Sequence, residues 1–390
     1  MGGCCSKRDA ATQAAKQPLK CNRLSITNID GTLLEDGLGA GAKVEFVHED
    51  RLLISSLSEQ NIIEVIEAAG QLFGHKMSIS CRTEQDKTSF REKDSQTLGD
   101  ELDLAAFGMG YTCRKGLKPE SPNQDSWFVL KTEACSIYAV FDGHGQHGHD
   151  ISQFVKENLP KLILKDPCFK SGDKETMLKD VFKTTQSLVR AAHGMKLFDA
   201  DLAGTTATVC LHDHVNNRIT MAHVSDSTAA LGTQKGPDAK DFEGIALTRD
   251  HKPDLKDERE RIEKAGGRVD FDGINHRIFA KDMQCPGLAM SRCLGDLMAH
   301  TLGAICEPEV STRDLKPDDS LLLLCSDGVW EFISPTEAFQ IVGVVESGKT
   351  MQAAERLAKE AWDRWIREEN GEVVDDITVI LVNLKHAVAV

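Results

Sequence analysis

Short apolar runs, each bounded by a carboxylate, recur along this chain. Residues 137–141 (IYAVF) are β-branched and aromatic, the pattern of a buried strand, and they stop on Asp142-Gly143-His144. Residues 219–224 lead into Ser225-Asp226-Ser227, and residues 321–325 into Ser326-Asp327-Gly328. Residues 377–384 (ITVILVNL) follow directly on Asp375-Asp376. A further strand-like stretch, 126–130, follows Asn123-Gln124-Asp125. Helical periods fall between the strands. Ile151, Phe154, Val155 and Leu159 share one face, and Ala354, Leu357, Ala358, Ala361, Trp362 and Trp365 share another.

Upstream the pattern weakens. Residues 43–47 and 52–55 read as strands, and 61–69 as a helix with Ile62, Ile63, Val65 and Ile66 on its apolar side. Residues 81–100 are polar enough to read as disordered. The expected organisation is a tail at 1–20, an extension at 21–105 and one main domain at 106–390. The extension can be regulatory, a docking surface or extra strands on the main fold.

The tail carries an address. Met1-Gly2-Gly3-Cys4-Cys5-Ser6 fits the myristoylation pattern, with Gly2 as acceptor once Met1 is removed. Cys4 and Cys5 beside it are palmitoylation candidates, and a second acyl chain is what stable anchoring needs. Lys7 and Arg8 add a small basic contribution. The expectation is a lipid anchor on the cytoplasmic side of a membrane, with a cytosolic pool. No run reaches the ~18 apolar residues of a membrane span, and no signal-peptide core is present.

Composition narrows the chemistry. The chain has 390 residues and a net charge of -15, which argues against a nucleic-acid partner. Its twelve cysteines are scattered without a CxxC pair. Cys135, Cys210 and Cys325 lie in apolar runs and read as buried thiols in a reducing compartment. A monomer is the default expectation.

The acid-capped strands suggest a metal site. Aligned in a sheet, Asp142, Asp226, Asp327 and Asp375 converge on one rim, where mutual repulsion favours bound divalent cations. Oxygen donors favour Mg²⁺ or Mn²⁺ over zinc. Gly143 allows its carbonyl to approach an ion, and His144 titrates near neutrality. Asp-Gly is also a common turn dipeptide, but the recurrence of the pattern favours the metal reading. A zinc site at His144, His147 and His149 is the competing idea. Its spacing is loose, and His147 and His149 read as solvated loop residues. Upstream, Arg114 can clamp a phosphate while Asp125 joins the rim. Thr205 and Thr206 read as packing or hydrogen-bonding strand residues.

These pieces, taken together and in order, resemble the type 2C metal-dependent serine/threonine protein phosphatases. They are PNQDS, YAVFDGHG, AGTTAT, AHVSDSTAAL, LTRDHKPDLKDERERIEKAGGRV, LAMSRCLGD, CEPEV, LLLLCSDGVWEFIS and DDITVILV, from about Gly110 to Leu384. The resemblance implies an α+β fold: a four-layer α-β-β-α sandwich, two packed antiparallel sheets flanked by helices, with the site at one edge. It implies two cations, Mg²⁺ or Mn²⁺, bridged by Asp142, with the Gly143 carbonyl completing one of them, Asp327 and Asp375 on the first and Asp125, mostly through waters, supporting the second. Asp226 and Glu331 match positions that hold a third metal in some members. Arg114 would bind the substrate phosphate, and His144 would be the general acid. Residues 257–265 fall where the family has a variable flap.

The implied reaction is direct attack of a cation-activated water on phosphoserine or phosphothreonine in phosphoprotein substrates. No covalent phospho-enzyme is needed, since Cys113 beside Arg114 lacks a C-x₅-R arrangement. The chain departs from the family at Gln124, Ser225, Thr228, Cys293, Glu331 and Asp376, with the third-metal positions affected most. Two alternatives stand beside this reading: a membrane-anchored inactive scaffold and a hydrolase of small-molecule phosphates.

Overall fold

The computed structural model describes residues 89–98, 104, 106–118, 122–132, 134–235, 241–344 and 348–387. It also describes three upstream strands, Ser25–Ile26, Phe46–Val47 and Leu72–Ser78. Gly2, Cys4, Cys5, the tether and the elements expected at 52–55 and 61–69 lie outside the described residues.

Two antiparallel sheets form the centre. Their strands are β1 (Leu72–Ser78), β2 (Ser95–Leu98), β3 (Met109–Arg114), β4 (Ser126–Thr132), β5 (Cys135–Phe141), β6 (Ala207–Asp213), β7 (Arg218–Val224), β8 (Thr228–Gln234), β9 (Phe242–Ala246), β10 (Glu309–Asp314), β11 (Asp319–Cys325) and β12 (Ile377–Asn383). One sheet runs β10-β7-β6-β5-β4-β1-β2 and the other β9-β8-β11-β12-β3. The strands read as continuous apolar runs because both faces of each sheet are covered. Trp127, Val129, Tyr138 and Val140 meet Leu322, Leu324, Ile380 and Val382 between the sheets.

Helices form the outer layers. Phe128, Leu130, Ile137 and Phe141 pack on α1 (Gly148–Lys165) and α2 (Lys174–Gly194). Across the sandwich, Leu321, Leu323, Val379 and Leu381 pack on α4 (Pro335–Gly343) and α5 (Thr350–Glu368). Between these pairs in sequence, α3 (Lys256–Lys264) joins a small three-stranded sheet through Ile262, Val269, Ile278 and Leu288. Local chemistry starts the helices where they begin. Asp173 accepts from the backbone N–H groups of Glu175 and Thr176 at the head of α2. Ser334 caps α4 ahead of Pro335, whose missing N–H costs nothing in a first turn. The result is the four-layer α-β-β-α sandwich.

Three expectations are corrected. The polar stretch 81–100 holds β2, whose backbone pairs with β1, so the main sheet reaches across the boundary expected at 105/106. A sheet-edge strand is held by its backbone ladder and does not require apolar side chains. His149 is buried in the first turn of α1, which starts earlier than its apolar stripe indicates. The acid-bearing strands belong to two sheets: Asp142 and Asp226 end β5 and β7, while Asp327 and Asp375 flank β11 and β12. The rim they share is therefore the edge of the sandwich.

Leu323 is fully buried in the central strand β11. Leu323→Ala is expected to lower unfolding stability by about 3 kcal/mol through lost burial and a residual cavity. Urea denaturation followed by circular dichroism measures it, and a change under ~1 kcal/mol would show that the position is not tightly packed.

Candidate active site

Backbone hydrogen bonds first fix where the acids sit. The Asp142 N–H donates to Thr206 Oγ1 at 2.9 Å, and its carbonyl accepts from Thr205 Oγ1 at 3.0 Å and from the Thr206 N–H at 2.8 Å. The two threonines thus hold Asp142 through its main chain and leave its carboxylate to the site. Gly143 backs onto the start of α1: a Cβ there would lie 2.3 Å from the Gly148 carbonyl oxygen, so only glycine fits. Across the edge, Asp125 Oδ2 accepts from Thr378 Oγ1 at 2.6 Å and Ser326 Oγ at 2.8 Å. Asp376 does not face the cluster as a free acid. Its two oxygens accept the N–H groups of Gly116 and Gln124, both at 2.7 Å, which pins the turn carrying Asp125.

The cluster is electrostatically strained. Burial, then the charges of Asp125, Asp327 and Asp375, push the Asp142 carboxyl well above the usual carboxylate range. Burial and Asp375 raise Asp327 to about 7. Burial and Asp376 raise Asp125 to about 7 as well. Asp375 is raised by burial, with an opposing pull from Lys118. That lysine was not anticipated. Its ammonium pairs with Asp375 and feels the fields of Asp327 and Asp142, so it stands as a cation among the acids.

These residues fit divalent cations. Asp125 Oδ1 and Asp327 Oδ1 are buried with no hydrogen-bond partner among the described residues. The donors are oxygens, and the ammonium paired with Asp375 is carried by the long side chain of Lys118. Among the described residues, the groups whose ligand atoms already lie within 4.8 Å of one another are His223–His251–Glu309 and His193–Asp199–Asp201, so the rim aspartates would have to draw together around an ion. The His144/His147/His149 zinc alternative is not assembled. His144 pairs with Asp296, whereas His147 and His149 both turn toward Asp150.

His144 joins the same edge. Its Nε2 lies 2.6 Å from Asp296 Oδ2, and its Nδ1 is buried without a hydrogen-bond partner among the described residues. Burial disfavours its charge, but Asp296 outweighs burial and the net shift is upward. Asp296 adopts φ 44°, a left-handed conformation that aims its carboxylate at the histidine. Gly204 makes the room: a Cβ on it would lie 2.0 Å from Asp296 Oδ2. The sequence signal was present as the last residue of LAMSRCLGD.

Arg114, expected to bind the substrate phosphate, is engaged elsewhere in this structure. It pairs in register with Ile377, so its side chain shares the outer, helix-facing side of the sheet. There it bonds Glu355 of α5 at 2.5 Å and lies 3.7 Å from Glu92. Strand alternation thus carries it away from the acids, although its backbone ends at the correct rim. Asp226 is paired with Lys252, and that attraction with the Ser225 hydroxyl outweighs burial to lower its carboxyl. Ser225 sits at φ 81°, where glycine is easier, and is held by its N–H on His251 Nδ1 at 3.0 Å. Glu331 is exposed just beyond the short helix Asp327–Trp330. Cys113 is fully buried and its thiol is pushed up to about 12 by burial, which disqualifies it as a nucleophile.

A four-layer sandwich with an acid-lined edge is the architecture of the type 2C phosphatases. The family model described as "Protein phosphatase 2C" matches residues 117–369. A rice relative, "Probable protein phosphatase 2C 48" (Oryza sativa subsp. japonica), is 34% identical over 66% of this chain and 79% of its own. An Arabidopsis thaliana relative, "Probable protein phosphatase 2C 61", is 33% identical over 68% of this chain and 82% of its own. The solved serine-threonine phosphatase 2C from Toxoplasma gondii shares the fold, with a TM-score of 0.57 at 20% identity, covering 70% of this chain and 94% of that one. The chain belongs to the protein phosphatase 2C family.

The strained acids make a pH prediction. A carboxyl whose folded pKa is raised contributes stability that is fully present below its unfolded pKa and is lost as pH rises through the folded value, here about 7 for Asp327. In chelator, Asp327→Asn is expected to melt at a higher temperature than the parent at about pH 8, with the gap closing toward about pH 5.5. Scanning calorimetry across that range checks it, and a pH-independent gap would contradict it.

Proposed function

We propose that this protein phosphatase hydrolyses phosphoserine and phosphothreonine in protein substrates by a single displacement, without a covalent enzyme intermediate. One observation carries the reading: Asp142, Asp327, Asp375 and the His144–Asp296 pair converge at one edge of the sandwich. Two divalent cations, Mg²⁺ or Mn²⁺, held by Asp142, the Gly143 carbonyl, Asp327 and Asp375 with Asp125 behind them, would supply the Lewis acidity that neutralises phosphate oxygens and activates water. A third cation would need Asp226 and Glu331. Lys252 already neutralises the first of these, and the second is exposed, so the two-cation set is the one the residues favour.

The protein groups divide the remaining work. Burial opposes the charge on His144, but Asp296 outweighs it and favours the protonated ring, and Nδ1, without a hydrogen-bond partner among the described residues, would deliver the proton to the departing serine or threonine oxygen. Lys118 pairs with Asp375, and it would be available to the substrate phosphate if that carboxylate held a cation, beside the role expected of Arg114. Residues 257–265, which form most of α3, would be the variable flap. At the other end of the chain, acylation at Gly2 with palmitoylation at Cys4 or Cys5 places the enzyme on the cytoplasmic face of a membrane, with a cytosolic pool. A monomer suffices for this chemistry.

His144→Ala is expected to lower kcat on a phosphopeptide by about 10²–10⁴-fold while calorimetric Mn²⁺ affinity stays near the parent's. Equal rates would remove the general-acid role. Parallel assays with small phosphate esters and with chelator separate the alternatives: activity surviving chelator would overturn the metal reading, and no activity in any arm would favour the inactive scaffold. Gly2→Ala is expected to shift the protein from the membrane to the soluble fraction of lysed cells, and unchanged partition would contradict the anchor.

A further inference from the structure

We infer that residues 89–98, upstream of the region the family model matches, form a strap that completes the metal-binding edge, with Lys93 as the residue positioning Asp125. The inference rests on the reading of Asp125 as part of the cation site.

The strap stitches the two sheets together. Its first half pairs with the end of β3, the edge strand of one sheet: Phe90 N–H donates to the Lys115 carbonyl at 2.6 Å, Lys115 N–H to Arg91 at 3.0 Å and Lys93 N–H to Cys113 at 2.8 Å. Its second half is β2, the edge strand of the other sheet. Side chains clip it down. The Phe90 ring meets Trp362 of α5 edge-to-face at 4.7 Å, and the Arg114 guanidinium lies 5.3 Å from the Phe90 centroid. Glu92 and Glu355 both approach that guanidinium. Phe90 holds φ 54°, costly for an aromatic residue, so these contacts are what keep the backbone there. Arg114 therefore fastens the strap to α5.

Lys93 connects the strap to the site. It is buried, and its ammonium donates to the carbonyls of Asp125 and Asn123 (3.3 Å for the latter) and lies 3.3 Å from Ser126 Oγ. A buried lysine requires such acceptors, and bonds from a charged donor are stronger than neutral ones. The turn 123–126 is thus gripped on two sides: Asp376 holds the Gln124 N–H from β12, and Lys93 holds the carbonyls from the strap. Asp125 sits between the grips with one carboxylate oxygen lacking a hydrogen-bond partner among the described residues. Loosening the strap frees the backbone that aims this oxygen, so a segment outside the matched domain sets the affinity of the site.

The test uses the full chain with Lys93→Met, Lys93→Arg, Phe90→Ala and Asp125→Asn. Mn²⁺ affinity is read by isothermal titration calorimetry, half-activating Mn²⁺ from phosphopeptide turnover, and mobility of residues 123–126 by hydrogen exchange. Lys93→Met and Phe90→Ala are expected to weaken Mn²⁺ binding by about tenfold, the scale of lost support behind a metal ligand. Half-activating Mn²⁺ rises to match, kcat at saturating Mn²⁺ stays within about twofold, exchange at 123–126 accelerates, and Lys93→Arg recovers part of the affinity. Phe90→Ala touches neither Asp125 nor its turn, so it keeps the test decisive if Lys93→Met does not fold. Parent-like affinity in the strap variants beside weakened binding in Asp125→Asn overturns the inference. Parent-like affinity in Asp125→Asn overturns the underlying reading of Asp125 instead.

Discussion

Carboxylates buried together at the edge of a β-sandwich repel one another, and most of the local structure answers that constraint. Asp125 uses one oxygen on Thr378 and Ser326, and Asp376 spends both on backbone N–H groups. Those bonds stabilise ionised acids, but burial still raises Asp125 and Asp327 to about 7. Positive charge is the remaining remedy. Lys118 supplies it from the chain itself, and divalent cations supply it with greater field strength and with the polarising power hydrolysis needs.

The same edge separates two electrostatic environments. On one side acids crowd acids, and every shift is upward. On the other, His144 faces Asp296 and Asp226 faces Lys252, so each charged group has an opposite neighbour. A cation site and a proton donor need these opposite conditions, and they sit side by side because β5 ends on Asp142 and turns at once through Gly143 into His144. Gly143 and Gly204 permit the close approach on either side of that turn. Asp296 and Ser225 hold left-handed conformations there, backbone cost accepted where the chemistry lies.

Much of this was legible in the sequence, for physical reasons that differ by residue. Asp142, Asp327 and Asp375 stood out because apolar runs locate strands and the acids mark their ends. The stripe on α5 was visible because helical periodicity survives in Ala354, Leu357 and Ala358, all buried. Arg114 reaches the rim along its strand while its side chain alternates to the outer face, an orientation that the motif alone does not give. Lys118 lies outside any helix or strand, in a stretch without periodicity, and only three-dimensional closure brings it to Asp375. The strap was hidden for a related reason: its hold on the fold is made by backbone pairing and by Lys93 on carbonyl oxygens, neither of which leaves an apolar signature.

The central claim is that carboxyls raised by burial and by one another's charge are the seat of the cations. Mn²⁺ titrated calorimetrically into metal-free protein near pH 7, in buffers of different ionisation enthalpy, tests it most directly. Cation binding must then expel the protons held by Asp125, Asp327 and their neighbours, because ligands coordinate in their ionised form. The account predicts an apparent binding enthalpy that varies with the buffer in the sense of net proton release. Binding with no buffer dependence, or no binding at all, would contradict it.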